Sequence, residues 1–351
     1  MSAQVSPEQS SPLLAKARSG DRAAFDEISE PHWRELRLHC YRMLGSLQDA
    51  EDAVQDSLLR AWRGIEKFEG RASFRNWLYR IATNTCLNAL ASGASRRRVM
   101  PETEGPPTTQ MPPREPALDV SWLEPYPDEW LEDVPDLAPG PDARYEQREA
   151  VHLAFVALIQ TLPPRQRAAL LLQDVLGWSA AESAELLESS VASVNSALQR
   201  ARTTIEKRRP SWSSSGNSAE PNEHERALLN RYVRSWESAD VDGFVSVLKD
   251  DAMISMPPWR EWYLGRDAVR AFFAFTARPG GHAPFRLVPT RANGQIAYAF
   301  YSRWKSADWR AHSIQLLELD DAGFTVMTSF VTPALFAKFG LPEMLTAEDR
   351  V

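Results

Sequence analysis

The sequence predicts a multidomain protein in which two all-α modules precede an α+β cone, a curved sheet covered by helices. Three observations carry this prediction. Residues 11–100 and 144–210 have apolar residues at helical spacing, a proline-rich acidic segment (101–143) lies between them, and residues 222–345 begin with helical patterns and end in strand-like runs. A serine-rich segment (211–221) precedes the cone, and a length of 351 residues suits two or three domains.

Cysteine content and hydropathy exclude several classes of protein. The two cysteines, Cys40 and Cys86, lie inside apolar helical patterns, so we expect no disulfide framework, no metal and no cofactor. Residues 1–12 lack the charged and apolar regions of a signal peptide. The longest apolar stretch, Val151–Ile159, is too short to span a bilayer. We therefore expect a cytoplasmic protein.

The net charge of −7 is unevenly distributed along the chain. Residues 1–100 carry a net charge of +3 and residues 144–210 of +2, whereas residues 101–143 carry −10 and residues 211–351 carry −2. Such mildly basic modules would attract nucleic-acid phosphates only weakly on their own. This distribution suits a protein that reaches DNA while bound to a larger enzyme.

Two helical patterns between Asp49 and Ala89 organise the first module. Ser46 and Asp49 form a capping-box pattern before the first helix. Its apolar stripe consists of Ala50, Ala53, Val54, Leu58, Ala61, Trp62 and Ile65, and its acidic residues lie largely off that stripe. In the second helix Asn76, Arg80, Asn84 and Asn88 recur every four residues, which predicts a polar line along one face.

These two segments, Asp49–Asp56 and Phe74–Asn84, resemble region 2 of the extracytoplasmic-function (ECF) sigma factors, bacterial RNA polymerase subunits of the sigma-70 family. The resemblance implies that the first segment binds core RNA polymerase, at its beta and beta-prime subunits, through Asp49, Glu51, Asp52, Gln55 and Asp56. The second would capture and open the −10 promoter element through Phe68, Asn76, Trp77, Arg80, Asn84 and Asn88. An amphipathic helical hairpin with a solvated polar face is the alternative interpretation.

Residues 101–141 contain 11 prolines, which predicts an extended linker without regular helix or central strand. Trp122–Leu131 interleaves aromatic and acidic residues, so we expect this piece to pack on a surface. In related sigma factors this linker threads the nucleic-acid path of the polymerase, where acid would imitate phosphate; a spacer kept soluble by charge is the alternative. The preceding triplet Arg96–Arg98 suits either promoter phosphate or a solvated helix end.

The second module reads as a helix-turn-helix. Ser179 and Glu182 form a capping box that opens a short helix, and a longer helix follows with Val191, Val194, Leu198, Ala201 and Ile205 facing inward. The end of the longer helix is basic. Two helices joined by a tight turn, the second of them basic, are typical of DNA-binding proteins.

Leu162–Arg167 and Val191–Arg202 resemble region 4 of the same sigma-factor family. The resemblance implies that Asn195, Ser196, Gln199 and Arg200 enter the major groove of the −35 element beside Ser193, while Arg165 and Arg202 hold backbone phosphates. Asn and Gln suit adenine, and Arg suits guanine or phosphate. Asn195 and Ala197 stand where basic residues are common in the family, so the −35 sequence cannot be read from this helix.

In the C-terminal part, Arg234–Asp240 and Trp262–Arg266 resemble SnoaL-like domains, of the polyketide-cyclase and ketosteroid-isomerase fold. A subset of ECF sigma factors, the SigG/SigJ type, carries this fusion. Helices followed by strands predict a curved antiparallel sheet. His312, Asp308, Asp267 and Tyr298 are candidate general bases, but no catalytic pair can be assigned by spacing, so we expect no catalytic residues and no enzyme.

Five aromatic residues of the cone suit either a ligand pocket or its core: Trp259, Trp262, Tyr263, Phe300 and Trp304. We expect an alternative sigma factor that recognises −10 and −35 elements and initiates transcription, with the cone regulating it by intramolecular packing. The expected partners are core RNA polymerase, promoter DNA and the protein's own C-terminal domain. A ligand-responsive helix-turn-helix regulator is the alternative, and a DNA-tethered cyclase or isomerase is a remote one.

Overall fold

The computed structural model describes residues 12–70, 72–131, 150–208, 221–282, 284–303 and 308–345. The chain divides into two compact units. The first unit combines Met1–Arg98 with Trp130–Arg209, and the second combines Val99–Glu129 with Pro210–Val351. The segment between the two predicted helical modules therefore belongs mainly with the cone.

The first helices are α1 (Pro12–Arg18), α2 (Arg22–Leu44), α3 (Leu47–Gly64) and α4 (Phe74–Ser92), with a 3₁₀ turn at Ile65–Lys67. Polar side chains start three of them, because Asp21, Ser46 and Ser73 each accept a hydrogen bond from a backbone N–H of the first turn. Gly45, at φ +71°, ends α2 in a left-handed conformation that suits glycine. The apolar faces of the helices meet around Phe25, which is fully buried.

The linker is more structured than its proline content predicts. Pro101–Glu104 forms a short helix, α5, and Asp128–Trp130 forms a 3₁₀ turn. Pro101 occupies the first turn of α5, where its missing N–H costs no hydrogen bond, so proline here starts a helix. Residues 132–149 of the predicted linker lie outside the described residues.

The second set of helices comprises α6 (Leu153–Gln160), α7 (Pro164–Leu170), α8 (Ala180–Leu186) and α9 (Val191–Arg208). A π-helical turn, Leu171–Val175, extends α7 toward Gly177, whose φ is +71°. Ser179 and Glu182 make both bonds of the predicted capping box at the start of α8. The helix-turn-helix formed by α8 and α9 is thus in place.

The cone contains the helices α10 (Glu223–Ser238), α11 (Val241–Val245), α12 (Arg266–Ala277) and α13 (Leu335–Lys338). Its strands are β1 (Leu248–Ser255), β2 (Trp262–Leu264), β3 (Phe285–Ala292), β4 (Gln295–Ser302), β5 (Trp309–Asp320), β6 (Gly323–Phe330) and β7 (Met344–Leu345). The sheet order is β2-β1-β6-β5-β4-β3, and β7 pairs with β5. Aromatic residues dominate the core, with the Phe244 and Phe273 rings stacked 4.2 Å apart.

The sheet is mixed, whereas the sequence predicted an antiparallel one. β1 pairs with β6 in parallel, while β3, β4, β5 and β6 form an antiparallel meander. The difference arises from topology: β6 is the last strand of the meander and returns beside β1, far earlier in the chain. Local periodicity carries no information about such a non-local pairing.

No helix within the described ranges is both long enough and apolar enough to cross a membrane.

Candidate polymerase and nucleic-acid interface

The acidic face predicted to bind polymerase lies on α3. Asp52, Gln55 and Asp56 are exposed, whereas the opposite face of the helix packs into the first unit. Asp52 Oδ1 accepts a hydrogen bond from Gln48 Nε2 at 3.0 Å, and Asp56 pairs with Arg60 at 2.8 Å. Both bonds join exposed residues one turn apart, so they leave the carboxylates accessible.

Asp49 is used within the first unit. Its carboxylate accepts hydrogen bonds from Ser95 Oγ and Arg98 Nη2, each at 2.7 Å, and is half-buried. Its backbone N–H donates to Ser46 Oγ at 3.3 Å, so the predicted capping box supplies this bond while the carboxylate turns elsewhere. Glu51 is half-buried beside it on α3. The exposed part of the acidic face is therefore Asp52, Gln55 and Asp56.

The basic triplet Arg96–Arg98 is partly engaged in bonds within the first unit. Helix α4 ends at Ser92, before the triplet begins. Arg98 pairs with Asp49, and Arg97 Nε donates to the carbonyl of Gln160 at 3.2 Å. Two of the three arginines thus make hydrogen bonds within the first unit.

The polar line predicted for the −10 element lies along α4. Asn76, Arg80 and Asn84 are half-buried and Asn88 is exposed, while Leu78, Ala82 and Cys86 are buried on the other face. Arg80 Nη2 lies 3.5 Å from Glu188 Oε1, and Glu188 belongs to the turn between α8 and α9. The line is continuous on one face, as predicted, but its Arg80 is shared with the second helical module.

Phe68 does not lie on this surface. Only 5% of Phe68 is exposed, and its ring packs 4.9 Å from Trp77 and 6.1 Å from Phe74. Phe68 is therefore buried in this structure, and a direct contact of Phe68 with DNA stays a prediction. Trp77 is half-buried and remains at the surface beside it.

A buried polar network under α4 escaped the sequence analysis. Glu35 accepts from Arg75 Nη2 at 2.7 Å and from the Tyr79 hydroxyl at 3.2 Å, and His32 lies 2.6 Å away. Burial raises the pKa of Glu35, but the hydrogen bonds with His32 and Arg75 outweigh it, so the pKa lies below its ordinary value. This charged group fixes α4 on α2 and so positions the polar line.

The recognition helix α9 presents its predicted DNA-contacting residues to solvent. Ser193, Asn195, Ser196, Gln199, Arg200 and Arg202 are all exposed. Val194, Leu198 and Ala201 are buried on the opposite face, as predicted, whereas Val191 is 44% exposed because it occupies the first turn. Arg200 Nη1 donates to Ser196 Oγ at 2.6 Å.

Of the two arginines expected to hold phosphates, Arg202 lies on α9 itself and Arg165 lies on α7. Arg202 makes two bonds to Asp174, at 2.6 and 3.0 Å, and remains more than half exposed. Arg165 is exposed at the start of α7, with Nη1 3.5 Å from the carbonyl of Leu187. The structure therefore brings Arg165, Arg202 and the exposed face of α9 together in one helix-turn-helix module.

The two helical modules pack directly on one another through a buried arginine that the sequence analysis quoted only as part of a motif. Arg167 is 1% exposed and donates to the carbonyls of Ile159 (2.9 Å), Gln160 (2.9 Å) and Leu162 (3.2 Å), and across to that of Met43. Burial lowers the pKa of Arg167 to about 9. The guanidinium thus replaces its hydration shell with backbone carbonyls from both modules.

Three further contacts join the same modules. Gln160 Nε2 donates to the carbonyl of Arg42 at 3.0 Å, and Arg42 Nε donates to the carbonyl of Ala150 at 3.0 Å. The rings of Tyr79 and Trp178 lie 5.9 Å apart. The polar groups of these hydrogen bonds are buried, and each has its partner in the other module. The two helical modules therefore form one compact unit and do not behave as independent domains joined by a flexible linker.

Three of the aromatic residues considered for a pocket in the cone hold the linker, and Trp259 and Phe300 also line a cavity inside the cone. Trp259 Nε1 donates to the carbonyl of Arg114 at 2.7 Å, Trp262 Nε1 to that of Gly105 at 2.8 Å, and the Tyr263 hydroxyl to that of Gln110 at 3.3 Å. Phe300 lies in the cone core, and Trp304 lies outside the described residues.

The expectation that Trp122–Leu131 packs on a surface is confirmed. Tyr126 is fully buried, and its N–H donates to Asn293 Oδ1 at 2.8 Å. Asp128 accepts from the Gly294 N–H at 2.7 Å and from Arg291 Nε at 3.1 Å. Trp130 belongs to the first unit, where the Arg37 guanidinium lies 3.8 Å from its ring centroid.

The candidate bases of the cone are dispersed. Asp267 and Asp308 are exposed, Tyr298 is half-buried, and His312 Nδ1 lies 3.1 Å from Ser313 Oγ. Burial lowers the pKa of His312 to about 3, helped by the neighbouring His282, and burial raises that of Tyr298. In the part of the chain that the structure describes, no group of three or more His, Cys, Asp or Glu side chains is placed to hold a metal ion.

Comparison with known proteins agrees with this architecture. The family model for Sigma-70 region 2 matches residues 29–97, that for Sigma-70, region 4 matches residues 152–205, and that for the SnoaL-like domain matches residues 229–326. The chain is 43% identical over 345 residues to the ECF RNA polymerase sigma factor SigG of Mycobacterium tuberculosis, covering 97% of this chain and 89% of that protein.

Two further proteins are similar to this chain, one by sequence and one by structure. The ECF RNA polymerase sigma factor SigM of M. tuberculosis is 32% identical over 193 residues, which is 55% of this chain and 81% of that protein. The crystal structure of the M. tuberculosis extracytoplasmic function sigma factor SigJ shares the fold with a TM-score of 0.56 and 22% identity, covering 91% of this chain and 99% of that one. The chain belongs to the extracytoplasmic-function RNA polymerase sigma factors and is an alternative sigma factor with a C-terminal SnoaL-like domain.

Proposed function

We propose that the protein binds the beta and beta-prime subunits of core RNA polymerase through α3. It then recognises the −10 element with α4 and the −35 element with α9. The observation that carries this proposal is the orientation of α9. Its Ser193, Asn195, Ser196, Gln199 and Arg200 face solvent together, while Val194, Leu198 and Ala201 are buried on the opposite face. A helix that exposes amides, hydroxyls and guanidinium on one face suits the major groove.

On polymerase, the exposed carboxylates of Asp52 and Asp56 would meet basic residues of the partner. Asp49 and Glu51 would contribute from the half-buried end of the same helix. Asp49 already pairs with Arg98, so its role would be to hold the segment after α4 in place. Asp52 and Asp56 would then make the direct contact with polymerase. Rim charges of this kind mainly set the rate and specificity of association.

On promoter DNA, Asn76, Trp77, Arg80, Asn84 and Asn88 would receive an unstacked base of the −10 element. Unstacking costs a few kcal/mol, which polymerase binding supplies without nucleotide hydrolysis. Phe68 would act indirectly, because its buried ring supports the loop before α4 and the Trp77 ring at the surface. Arg165 and Arg202 would hold backbone phosphates beside the −35 element.

The SnoaL-like domain would regulate the sigma factor through the linker. Val99–Glu129 folds with the cone, and the chain connects this segment directly to region 2 at one end. Contacts of Tyr126, Asp128, Trp259 and Trp262 support this role, because a linker held by the cone restricts the modules attached to it. We infer that the cone serves as a regulatory domain and not as an enzyme, and that the protein acts in the cytoplasm.

The test is transcription in vitro from a pool of genomic fragments with purified core polymerase and this protein as the only sigma factor. New transcript 5′ ends that appear with wild-type protein and vanish with a Gln199→Ala, Arg200→Ala variant would support the proposal. Ala227→Ser, at an exposed position of α10, serves as the control. Transcripts that require a second sigma factor would favour the helix-turn-helix regulator instead.

A further inference from the structure

Six consecutive residues of the cone, 258–263, each make a polar contact with the linker. Three of them donate a side-chain hydrogen bond to a linker carbonyl, and two accept a linker N–H at their own carbonyl. Two carry charges that pair with linker side chains. The cone therefore directs one continuous segment at an extended stretch of the chain. The donors are Trp259, Trp262 and Tyr263, the acceptors are Pro258 and Trp262, and the charged residues are Arg260 and Glu261.

The linker is held at every third residue. The carbonyls of Gly105 and Arg114 accept indole N–H groups at 2.8 and 2.7 Å. The N–H groups of Thr108 and Ala117 donate to cone carbonyls at 2.9 Å each, and Met111, midway between them, packs against the cone core. The residues between these five are exposed, apart from one half-buried proline. The cone thus holds the backbone of an extended chain and leaves most of its side chains free.

The chemistry of these contacts suits proline. Five of the 13 residues from 105 to 117 are proline. Proline retains its carbonyl and has no N–H, and all three side-chain donors of the 258–263 segment bond to linker carbonyls. The cone accepts linker N–H groups from Thr108 and Ala117, neither of which is proline. Proline-rich chains are extended before they bind, and the surfaces that recognise them are lined by aromatic residues.

Glu261 gives this surface a preference for a basic residue. Its side chain is 13% exposed, and Oε1 lies 3.7 Å from Arg114 Nε. Oε2 is buried and has no hydrogen-bond partner among the described residues. A carboxylate that has lost most of its water favours a cation beside it. Arg114 follows Pro112 and Pro113 in the sequence. The preferred ligand therefore carries an arginine directly after two prolines.

We propose that residues 258–263 form a recognition surface for an extended proline-rich peptide with an arginine after two prolines. The linker occupies this surface in cis, and a partner protein that carries such a segment binds it in trans and displaces the linker. Because the linker is covalently attached, its effective concentration at the surface is in the millimolar range. A partner segment therefore competes best when the cis contacts are weakened. Since it binds only the vacant surface, it shifts the linker toward the released state.

The probe is a fluorescent synthetic peptide with the sequence of residues 105–119, titrated into the full-length protein and followed by anisotropy. Thr108→Pro combined with Ala117→Pro removes the two N–H groups that the linker donates to the cone. This double-proline variant weakens the linker in cis and leaves residues 258–263 unchanged. We expect it to bind the peptide at least about tenfold more tightly than wild type does.

The surface itself is tested in the double-proline variant. Trp262→Phe removes the indole donor to the Gly105 carbonyl and should weaken peptide binding at least about tenfold. Trp309→Phe makes the same change on β5, outside the surface, and should leave binding unchanged. Trp259→Phe removes the donor to the Arg114 carbonyl and replaces Trp262→Phe if that variant does not fold.

Altered peptides test the class of ligand. A peptide with glutamate in place of Arg114 should bind at least about threefold more weakly, because it sets two carboxylates against each other. Glu261→Lys should restore the affinity for this peptide. A scrambled peptide of the same composition should not bind.

Hydrogen exchange in ¹⁵N-labelled wild-type protein monitors displacement of the linker, because the unlabelled probe is not detected. The Ala117 N–H donates to the carbonyl of Pro258 at 2.9 Å, so saturating peptide should speed its exchange. Absence of saturable binding to the double-proline variant would overturn the proposal. Equal affinity after Trp262→Phe and Trp309→Phe, equal affinity of the scrambled peptide, or unchanged exchange on saturation would each do the same.

Discussion

The guanidinium of Arg167 in region 4 donates a hydrogen bond to the backbone carbonyl of Met43 in region 2. With Gln160 bonded to the carbonyl of Arg42, it holds the two DNA-reading modules in one unit. A sigma factor must place these modules on two promoter elements, so this contact opposes the arrangement needed on DNA. We expect it to favour a closed form of the free protein, which polymerase binding would open.

Replacing Arg167 with methionine should release region 4 from region 2. The substitution preserves much of the volume and removes the donors, so buried carbonyls lose their partners, at roughly 2–4 kcal/mol of docking free energy. Fluorescence energy transfer between labels at the exposed positions Gln48 and Lys207 should fall. Arg165→Met, at an exposed neighbouring position, should leave it unchanged. An unaltered transfer efficiency in a folded Arg167→Met protein would contradict the closed form.

Charge reversal of Asp52 and Asp56 to lysine should weaken binding to core polymerase by about 1–3 kcal/mol, because both carboxylates are exposed on α3. Affinity is measured by titrating labelled protein with core enzyme at fixed salt. Asp26→Lys is the matched control, since Asp26 also sits in an exposed pair with an arginine one turn away, on α2. Equal affinities for the double variant and the control would argue against the α3 surface.

Asn84→Ala should reduce promoter melting and leave polymerase binding intact, because Asn84 lies at the surface in the middle of the polar line on α4. Permanganate reactivity of −10 thymines on a promoter found by the transcription assay measures the effect. Ser92→Ala, at the exposed end of the same helix, is the control. Normal melting with the Asn84 variant would refute a role in base capture.

Asp128→Ala should loosen the linker from the cone, because its carboxylate holds both the Gly294 N–H and Arg291. The loss should be about 2 kcal/mol of linker docking, as for a charged hydrogen bond. Transcription output and hydrogen exchange of the 120–129 peptide should both change. Asp119→Ala removes a carboxylate from the same linker that is 80% exposed, and it should change neither. If both variants gave the same transcription output, linker docking would have no effect on the activity of the sigma factor, and the prediction would be wrong.

Linker docking should weaken as pH rises toward 8. Burial raises the pKa of Glu102 on α5 to about 7 from an ordinary 4.5, and it lies beside Ser255. Burial also raises the pKa of Glu318 on β5 to about 7, and the nearby Glu102 adds to this effect despite a hydrogen bond from Gln295. Glu102 belongs to the linker and binds its proton more tightly when the linker is docked. Its contribution to docking is therefore complete below pH 4.5 and is lost as the pH rises through 7.

Glu102→Gln should remove much of this dependence and strengthen docking at pH 8, by up to about 3 kcal/mol. Urea unfolding of the cone at pH 5 and pH 8 measures it, with Glu104→Gln, exposed on the same short helix, as the control. Parallel pH profiles for wild type and Glu102→Gln would show that the buried carboxyl does not titrate in this range.

The sequence predicted the elements whose evidence is local. Ser46 and Ser179 mark helix starts that the structure confirms, and the polar line from Asn76 to Asn88 depends only on helical spacing. The interior of the cone was predicted as helices and strands, but not the parallel pairing of β1 with β6. That pairing joins residues about 70 positions apart, beyond what periodicity records.

The contacts that join the two helical modules, and those that hold the linker on the cone, were not predictable, because each joins residues far apart in the sequence. From the sequence, Arg167 was only the last residue of the Leu162–Arg167 motif, yet it is buried against Met43. Trp259 and Trp262 were considered as pocket or core residues, and nothing in the sequence showed that their indole N–H groups hold linker carbonyls. Backbone carbonyls have no sequence signature, so such partners emerge only from the fold.

Capture of the linker by the cone also sets a length. Promoter elements named −10 and −35 are about 25 base pairs apart, or roughly 85 Å along the duplex at 3.4 Å per step. Residues 99–129, fully extended, would reach about 100 Å. The extended length of this segment is therefore comparable to the distance between the two promoter elements. While the segment stays folded on the cone, this length is not available to separate regions 2 and 4. While Tyr126 and Asp128 stay bonded to the cone, we expect that residues 99–129 add no length to the separation that regions 2 and 4 can reach.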